Sequence, residues 1–255
     1  MRSWLFVVVF LPVLCSWRPG TAAPEDKRPH VVIVSSEDEY KTEETLPVFA
    51  RDHLEKQFRV TVVLADPKDR TRLVGGEAID SADVLLLSVR RRPLVEADLA
   101  RVKKYLAAGK PLVAIRTSSH AFAVRAGDKA PDGTAQWPEF DRDVLGGNYQ
   151  GHYGAGMATT VRVVSDVKHP ILKGVRTEPF AVGTTLYKTS PLAAGATVLM
   201  TGTVEGKAAE PVAWVRERPG GGKVFYTSLG GVPDFKDPAV TTLLANGVRW
   251  AAGVE

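Results

Sequence analysis

The chain of 255 residues contains a single cysteine, Cys15, and it lies in an N-terminal leader. Everything downstream is therefore without a thiol, which excludes a disulfide framework, a thiol nucleophile and a thiolate metal ligand. A chain of this length can rest on its hydrophobic core instead. There is no P-loop, no Gly-x-Gly-x-x-Gly opening a helix, no zinc-ribbon pattern and no RNA-binding aromatic motif, so no nucleotide cofactor is expected. Internal repeats and low-complexity tracts are also missing. Charge of one sign is not in excess: 33 basic residues face 29 acidic ones, and Arg2 and Arg18 belong to the leader, so the net charge falls from +4 to +2 without it. That balance is too weak to argue for nucleic acid or an anionic membrane surface. No apolar run reaches the roughly 20 residues of a spanning helix; the longest, residues 4–14, has the length of a signal-peptide core.

Small residues, Gly20-Thr21-Ala22-Ala23, follow that run, and cleavage is expected after Ala22 or Ala23. The reading is a signal peptide over 1–23, a charged Pro-bounded linker over 24–29 and one α/β domain over 30–253. It implies an exported, periplasmic or secreted protein with no membrane attachment after cleavage.

Apolar β-branched runs predict buried strands over 30–34, 60–64, 82–89 and 111–115. Helical spacing of Leu46, Phe49, Ala50 and Leu54 predicts a helix capped by Thr42, with Glu43 and Glu44 in its first turn. Val95, Leu99, Val102 and Leu106 predict a second helix opened by Pro93 and ended at Gly109. Strands alternating with helices indicate a mostly parallel sheet covered on both faces. Residues 121–156 are rich in glycine, with a short helix from Trp137 to Gly146. Further strands follow over 160–164, 185–187, 197–201, 212–215 and 223–227, the last after a Gly220-Gly221-Gly222 turn. Asp237-Pro238 caps a final helix carrying Val240, Leu243, Leu244, Gly247 and Trp250.

In open α/β sheets ligands bind outside the carboxyl ends of the strands. The strand over 111–115 ends abruptly in Arg116-Thr117-Ser118-Ser119-His120. A sharp strand-to-helix turn there offers Thr117 or Ser118 as an exposed hydroxyl, though the flanking glycines of a nucleophile elbow are lacking and a base must be adjacent. The alternative is that these hydroxyls bind a ligand or cap the next helix. His152 lies in the loop Gly146-Gly147-Asn148-Tyr149-Gln150-Gly151-His152-Tyr153, whose amides and rings suit a sugar. His120, His152 and Glu139 have the donor types for zinc or another divalent cation, at irregular spacing. Arg90, Arg91 and Arg92 follow the strand over 82–89 and are expected in solvent or paired with Glu37, Asp38 and Glu39; Arg116 is the stronger anion ligand. Phe180, Tyr187 and Trp214 are expected in the core, with the cleft wall as the alternative, and His169 is expected to order its turn.

Asp83-Val84-Leu85-Leu86-Leu87-Ser88, residues 106–116, His120-Ala121-Phe122, Trp137-Pro138-Glu139-Phe140, Leu145-Gly146-Gly147, Gly151-His152, residues 169–174, Pro211-Val212-Ala213-Trp214 and residues 222–230 together resemble the ThuA-like (trehalose-utilisation) family. The resemblance covers nearly the whole chain after the leader. It implies membership of the class I glutamine amidotransferase-like superfamily: a flavodoxin-like three-layer sandwich with a mostly parallel central sheet and additional C-terminal strands. In glutamine amidotransferases the turn after the equivalent strand carries a catalytic cysteine. Here Thr117 or Ser118 stands there, which excludes glutaminase chemistry of that type. Some relatives carry acidic residues before the Leu-Tyr that resembles Leu186-Tyr187, where this chain has Thr184-Thr185.

The expectation is a protein of carbohydrate metabolism that binds or processes a sugar or oxidised sugar derivative in a cleft lined by Ser36, Glu37, Arg90, Arg116, Thr117, Ser118, Ser119 and Tyr149. As an enzyme it would be a hydrolase, lyase or isomerase with His120 or His152 as base or metal ligand and Glu139 as the acid. The alternative is a non-catalytic carbohydrate-binding or accessory protein.

Overall fold

The computed structural model describes residues 26–154 and 156–254; the expected signal peptide and the first two linker residues lie outside this range. The apolar run His30-Val31-Val32-Ile33-Val34 becomes β1 (His30–Ser36), buried along its full length. α1 (Thr42–His53) leads to β2 (Arg59–Ala65) and the short β3 (Leu73–Val74). β4 (Val84–Val89) follows, then β5 (Leu94–Val95), α2 (Glu96–Ala107) and β6 (Leu112–Ile115). β7 (Thr134–Ala135) pairs only with β5. The second half supplies β8 (Thr159–Val163), β9 (Phe180–Val182), β10 (Thr197–Thr203), β11 (Glu210–Glu217), β12 (Lys223–Thr227) and α3 (Pro238–Ala252).

Ten strands form one sheet in the order β3-β2-β1-β4-β6-β12-β11-β10-β8-β9. β2, β1, β4, β6 and β12 run parallel, and the strands beyond β12 extend the sheet antiparallel. The parallel strands are apolar on both faces because helices cover both. Val31, Ile33, Val84 and Leu86 pack toward α1 and α3, while Val32, Val34, Leu85 and Leu87 pack toward Leu99, Val102 and Leu106 of α2. Each such side chain contributes about 1.5–3 kcal/mol on burial. α3 lies close on β12, since a Cβ on Gly247 would come within 2.2 Å of the Phe225 ring.

The chain leaves β1 for β2 across one face and leaves β4 for β6 across the other. β1 and β4 are neighbours, so their carboxyl ends open a crevice at the point where the strand order reverses. This crevice positions the site.

Several local expectations change. Thr42 is not the cap of α1: it is the first helical residue, and Lys41 occupies the cap position with φ 52°. The segment over 185–187 forms a single bridge, Tyr187 to His152, while the strand pairing with β8 is β9, just upstream. Pro93 precedes β5, so α2 starts at Glu96. The turn expected after Trp137 is a π-type helical turn over Asp141–Leu145. Asp237 does cap α3, accepting from the Ala239 N–H at 2.9 Å.

Candidate functional site

At the end of β1, Glu37 is 1 % exposed. Its carboxylate accepts the N–H groups of Glu39, Tyr40 and Thr42 at 2.6, 2.7 and 2.8 Å and the Thr42 hydroxyl at 2.9 Å. The Thr42 N–H is a donor that the start of α1 cannot satisfy internally, and the Glu39 and Tyr40 N–H groups belong to the loop leading into it, so Glu37 does the capping that the sequence assigned to Thr42. It has no lone pair left for a ligand. Ser36 is fully buried within the sheet. Neither lines the cleft, which corrects the expectation for both.

β6 ends in a short 3₁₀ turn, Arg116–His120. Arg116, rather than Thr117 or Ser118, takes the strained elbow position, with φ 47°. Its side chain turns inward and is 1 % exposed. Nη1 donates to the Thr185 and Ser228 carbonyls at 2.9 and 2.8 Å; Nη2 donates to Tyr40 Oη at 3.1 Å and Thr185 Oγ1 at 2.9 Å. The guanidinium lies 4.0 Å from the centre of the Tyr187 ring and 4.7 Å from that of Tyr40. Burial opposes the cation, but Tyr187 and Tyr40 outweigh it and raise its pKa. Arg116 is thus a buried tie between β6 and the 184–187 segment, not a ligand-facing cation. Thr185 holds it, and Thr184 donates to Asp234 Oδ2 at 3.0 Å.

The hydroxyls after Arg116 are inward too. Ser118 Oγ donates to the Leu87 carbonyl at 2.9 Å and accepts from the Val89 N–H at 3.3 Å, pinning the turn to β4. Thr117 is buried, and its Oγ1 has no protein partner among the described residues. Neither is an exposed nucleophile. Ser119 Oγ sits 3.1 Å from His120 Nδ1 and reaches the cleft.

His120 stacks on Tyr149 with ring centres 4.4 Å apart and 25° between planes. Tyr187 stands 6.0 Å from His120 and 6.3 Å from His152. The stack divides the crevice into two lobes. One, of about 630 Å³, runs past Ser119, Phe122, Trp137, Glu139 and Asn148. The other, of about 570 Å³, is lined by Arg90, Arg91, Arg125, Gln150, His152 and Tyr187. Arg91, His120 and Tyr149 face both. Each lobe falls in the usual range for small-ligand sites. Burial first, then Arg91, Arg90, Arg116 and Arg125, push the His120 pKa down to about 3, so the imidazole is neutral near pH 7.

The expected arginines sort themselves by register. Arg90 pairs with Glu39, and Arg92 with Asp38, which Arg70 also holds. Arg91 points the other way, at φ 43°, with its N–H donating to the His120 carbonyl at 2.8 Å. Arg90 touches the cleft as an already paired group; Arg91 faces it unpaired among the described residues.

A cation does not fit here. His120 and His152 flank Tyr187, and their Nδ1 atoms meet Ser119 Oγ and the Tyr153 carbonyl, the latter at 2.8 Å. Glu139 is exposed and lies in the opposite lobe from His152. Among the described residues no three His, Cys, Asp or Glu converge, and the lobe holding His152 is arginine-rich. This donor set favours an anion over zinc.

From sequence Arg91 is expected in solvent or in an ion pair and Tyr187 in the core rather than the cleft wall, while Arg125 and Asp141 are not marked at all. No local signal separates Arg91 from Arg90 and Arg92, because what turns it is a left-handed backbone at φ 43°. Asp141 had none either: its burial comes from the loop folding over it. Its Oδ2 accepts the Tyr149 N–H at 2.7 Å, Oδ1 has no protein partner among the described residues, and a Cβ on Gly147 would lie 2.4 Å from Oδ1. Burial, opposed by the Tyr149 N–H, pushes its pKa up to about 7. Phe180 and Trp214 are core residues, with Trp214 Nε1 donating to the Leu145 carbonyl at 2.8 Å. The amide nitrogens of Asn148 and Gln150 both donate to the Ser190 carbonyl at 3.0 Å, fixing the loop that carries Tyr149. A larger hollow, of about 800 Å³, lies beside Trp250, but Lys223, Asn246 and Arg249 there are bonded to protein atoms.

A doubly wound α/β sheet with a two-lobed cleft at its switch point defines the flavodoxin-like class of fold. Residues 30–251 match the ThuA family, described as trehalose utilisation, and the chain belongs to that family. Among solved structures, a putative ThuA-like protein from Bacteroides uniformis ATCC 8492 aligns with a TM-score of 0.62 at 16 % identity, covering 91 % of this chain and 95 % of that one. A second, from Parabacteroides merdae ATCC 43184, aligns with a TM-score of 0.60 at 16 % identity, covering 89 % and 91 %. The mmIFT52 N-terminal domain shares the fold with a TM-score of 0.55 at 12 % identity, covering 87 % and 96 %. No curated protein matches the sequence.

Proposed function

We propose that this ThuA-family protein binds a sugar or oxidised sugar derivative in the two-lobed cleft, with the ring lying against the His120–Tyr149 stack. The stack carries the reading: apolar sugar faces pack on aromatic rings while hydroxyls meet the polar rim, and here the rings are exposed to both lobes. Trehalose, glucose and their oxidised derivatives, titrated calorimetrically, test it. Tyr149→Ala should weaken binding at least tenfold, or by about 1.4 kcal/mol, with an unchanged circular dichroism spectrum. Absence of binding by every sugar in the millimolar range overturns the proposal.

One observation favours a non-catalytic binder over an enzyme. Arg116 fills the elbow where the superfamily resemblance places a nucleophile, and a base with pKa near 3 has little drive to take a proton at pH 7. In the enzymatic reading His120 accepts the proton, Glu139 across the stack supplies one, and the reaction is hydrolytic, eliminative or isomerising. His120→Ala then abolishes turnover while sugar binding survives. Export is part of the same proposal, and N-terminal sequencing of the protein recovered outside the cytoplasm should begin at Ala23 or Pro24.

A further inference from the structure

The lobe of about 570 Å³ is lined by three guanidinium groups, Arg90, Arg91 and Arg125, and by one carboxylate, Glu39. Glu39 is committed to Arg90. Arg91 and Arg125 have no acidic partner among the described residues, although Asp38 and Glu39 take the neighbouring arginines. Arg91 is not a loose surface residue. Its backbone is held at φ 43°, its N–H is tied to the His120 carbonyl, and its side chain is part-buried beside the Tyr149–Tyr187 pair. Burial depresses its pKa, which is the sign of a cation lacking a counter-charge. Strain of this kind persists only where surrounding structure enforces it. The His120 imidazole is neutral, so Arg91 and Arg125 stand without a counter-charge against a wall of aromatic rings.

We propose that Arg91 and Arg125 form an anion clamp, so that the sugar bound in the cleft carries one compact anionic group, a carboxylate or a phosphate ester. The inference rests on the reading that the cleft takes a sugar, and narrows it to a charged one. Two guanidiniums present paired N–H donors to such a group, and in a half-closed cleft these charge-assisted bonds are strong. The sugar ring then lies on Tyr149 and His120, while the anion sits toward Arg91, the one cation that faces both lobes. The arginines chosen from sequence, Arg90 and Arg116, are occupied by Glu39 and by the 184–187 segment and Ser228, leaving this role to Arg91 and Arg125.

Calorimetric titration of the full-length protein with glucuronate, glucose 6-phosphate and glucose, at low and at high salt, tests the clamp. At least one anionic sugar should bind tenfold or more tightly than glucose, and only that binding should weaken with salt. Which of the two wins separates carboxylate from phosphate ester. Arg91→Gln should remove the preference, the anionic sugar then binding no more tightly than glucose. Arg125→Gln, at an exposed position that does not endanger the fold, should reduce the preference at least threefold. Glucose binding as tightly as both anionic sugars, or a preference that survives both substitutions, refutes the clamp while leaving the sugar site standing. Failure of all three sugars to bind refutes both.

Discussion

Asp141 is the group whose replacement reports most directly on the electrostatics of the cleft floor. Its carboxyl is 8 % exposed, receives one backbone N–H and has a second oxygen facing no protein donor among the described residues. Its pKa is raised from 3.8 to about 7. The native state therefore binds more protons than the unfolded state between those values. The stabilisation is complete below the unfolded pKa and is lost as pH rises through the folded one. With those two pKa values, the native protein loses about 2–3 kcal/mol of stability from this residue between about pH 5 and pH 8. Asp141→Asn keeps the shape and the acceptor for Tyr149 N–H but cannot ionise. The substitution also leaves an amide N–H₂ where Oδ1 was unpartnered, and that penalty does not depend on pH. Urea unfolding of both proteins across this range isolates the effect, because every other titrating group cancels. The difference between variant and parent should grow by 2–3 kcal/mol in favour of the variant as pH rises. A difference that stays constant within about 0.5 kcal/mol refutes the argument, showing that water or a cation already satisfies the ionised carboxylate.

Glu37→Ala should cost roughly 2–4 kcal/mol, because it strands buried N–H groups at the start of α1; an unchanged melting temperature contradicts the capping role. Arg116→Ala should cost roughly 3–5 kcal/mol by opening a cavity and leaving the Thr185 and Ser228 carbonyls unpaired, whereas a shift below about 1 kcal/mol would move Arg116 out of the structural role given it here. The His120 ring should show no NMR titration between about pH 5 and 8, since its pKa lies near 3. Its depressed value also means that stability present above 6.5 is lost as pH falls toward 3, opposite in sign to Asp141. A midpoint near 6.5 would show that neither burial nor the arginines bear on the ring.

Much of the architecture was legible because burial leaves a local trace. A parallel strand covered on both faces must be apolar at every position, so β1, β4 and β6 announce themselves as uninterrupted runs. A helix covered on one face repeats its apolar residues at helical spacing, as α2 does. The want of a thiol beyond Cys15 is likewise a property of composition, and the family resemblance rested on ordered short motifs. The strand over 185–187 misled because Leu186 and Tyr187 are buried for other reasons: Leu186 packs in the core, while Tyr187 walls the cleft and braces Arg116.

Only the tertiary structure decided what the polar residues do. Ser36, Glu37, Arg90 and Arg116 are all charged or polar residues at strand ends, and nothing local distinguishes a residue facing ligand from one facing its own backbone. Glu37 is consumed because α1 starts just beyond it with unsatisfied donors. Arg116 is consumed because the 184–187 segment and the residue just after β12 bring carbonyls to it from 69 and 112 residues away. Arg91 is left for the cleft because Asp38 and Glu39, across the switch point on the β1 loop, take Arg92 and Arg90. Charge partners and desolvation are set by distance in space, and in this fold the deciding distances lie between segments that the sequence keeps far apart.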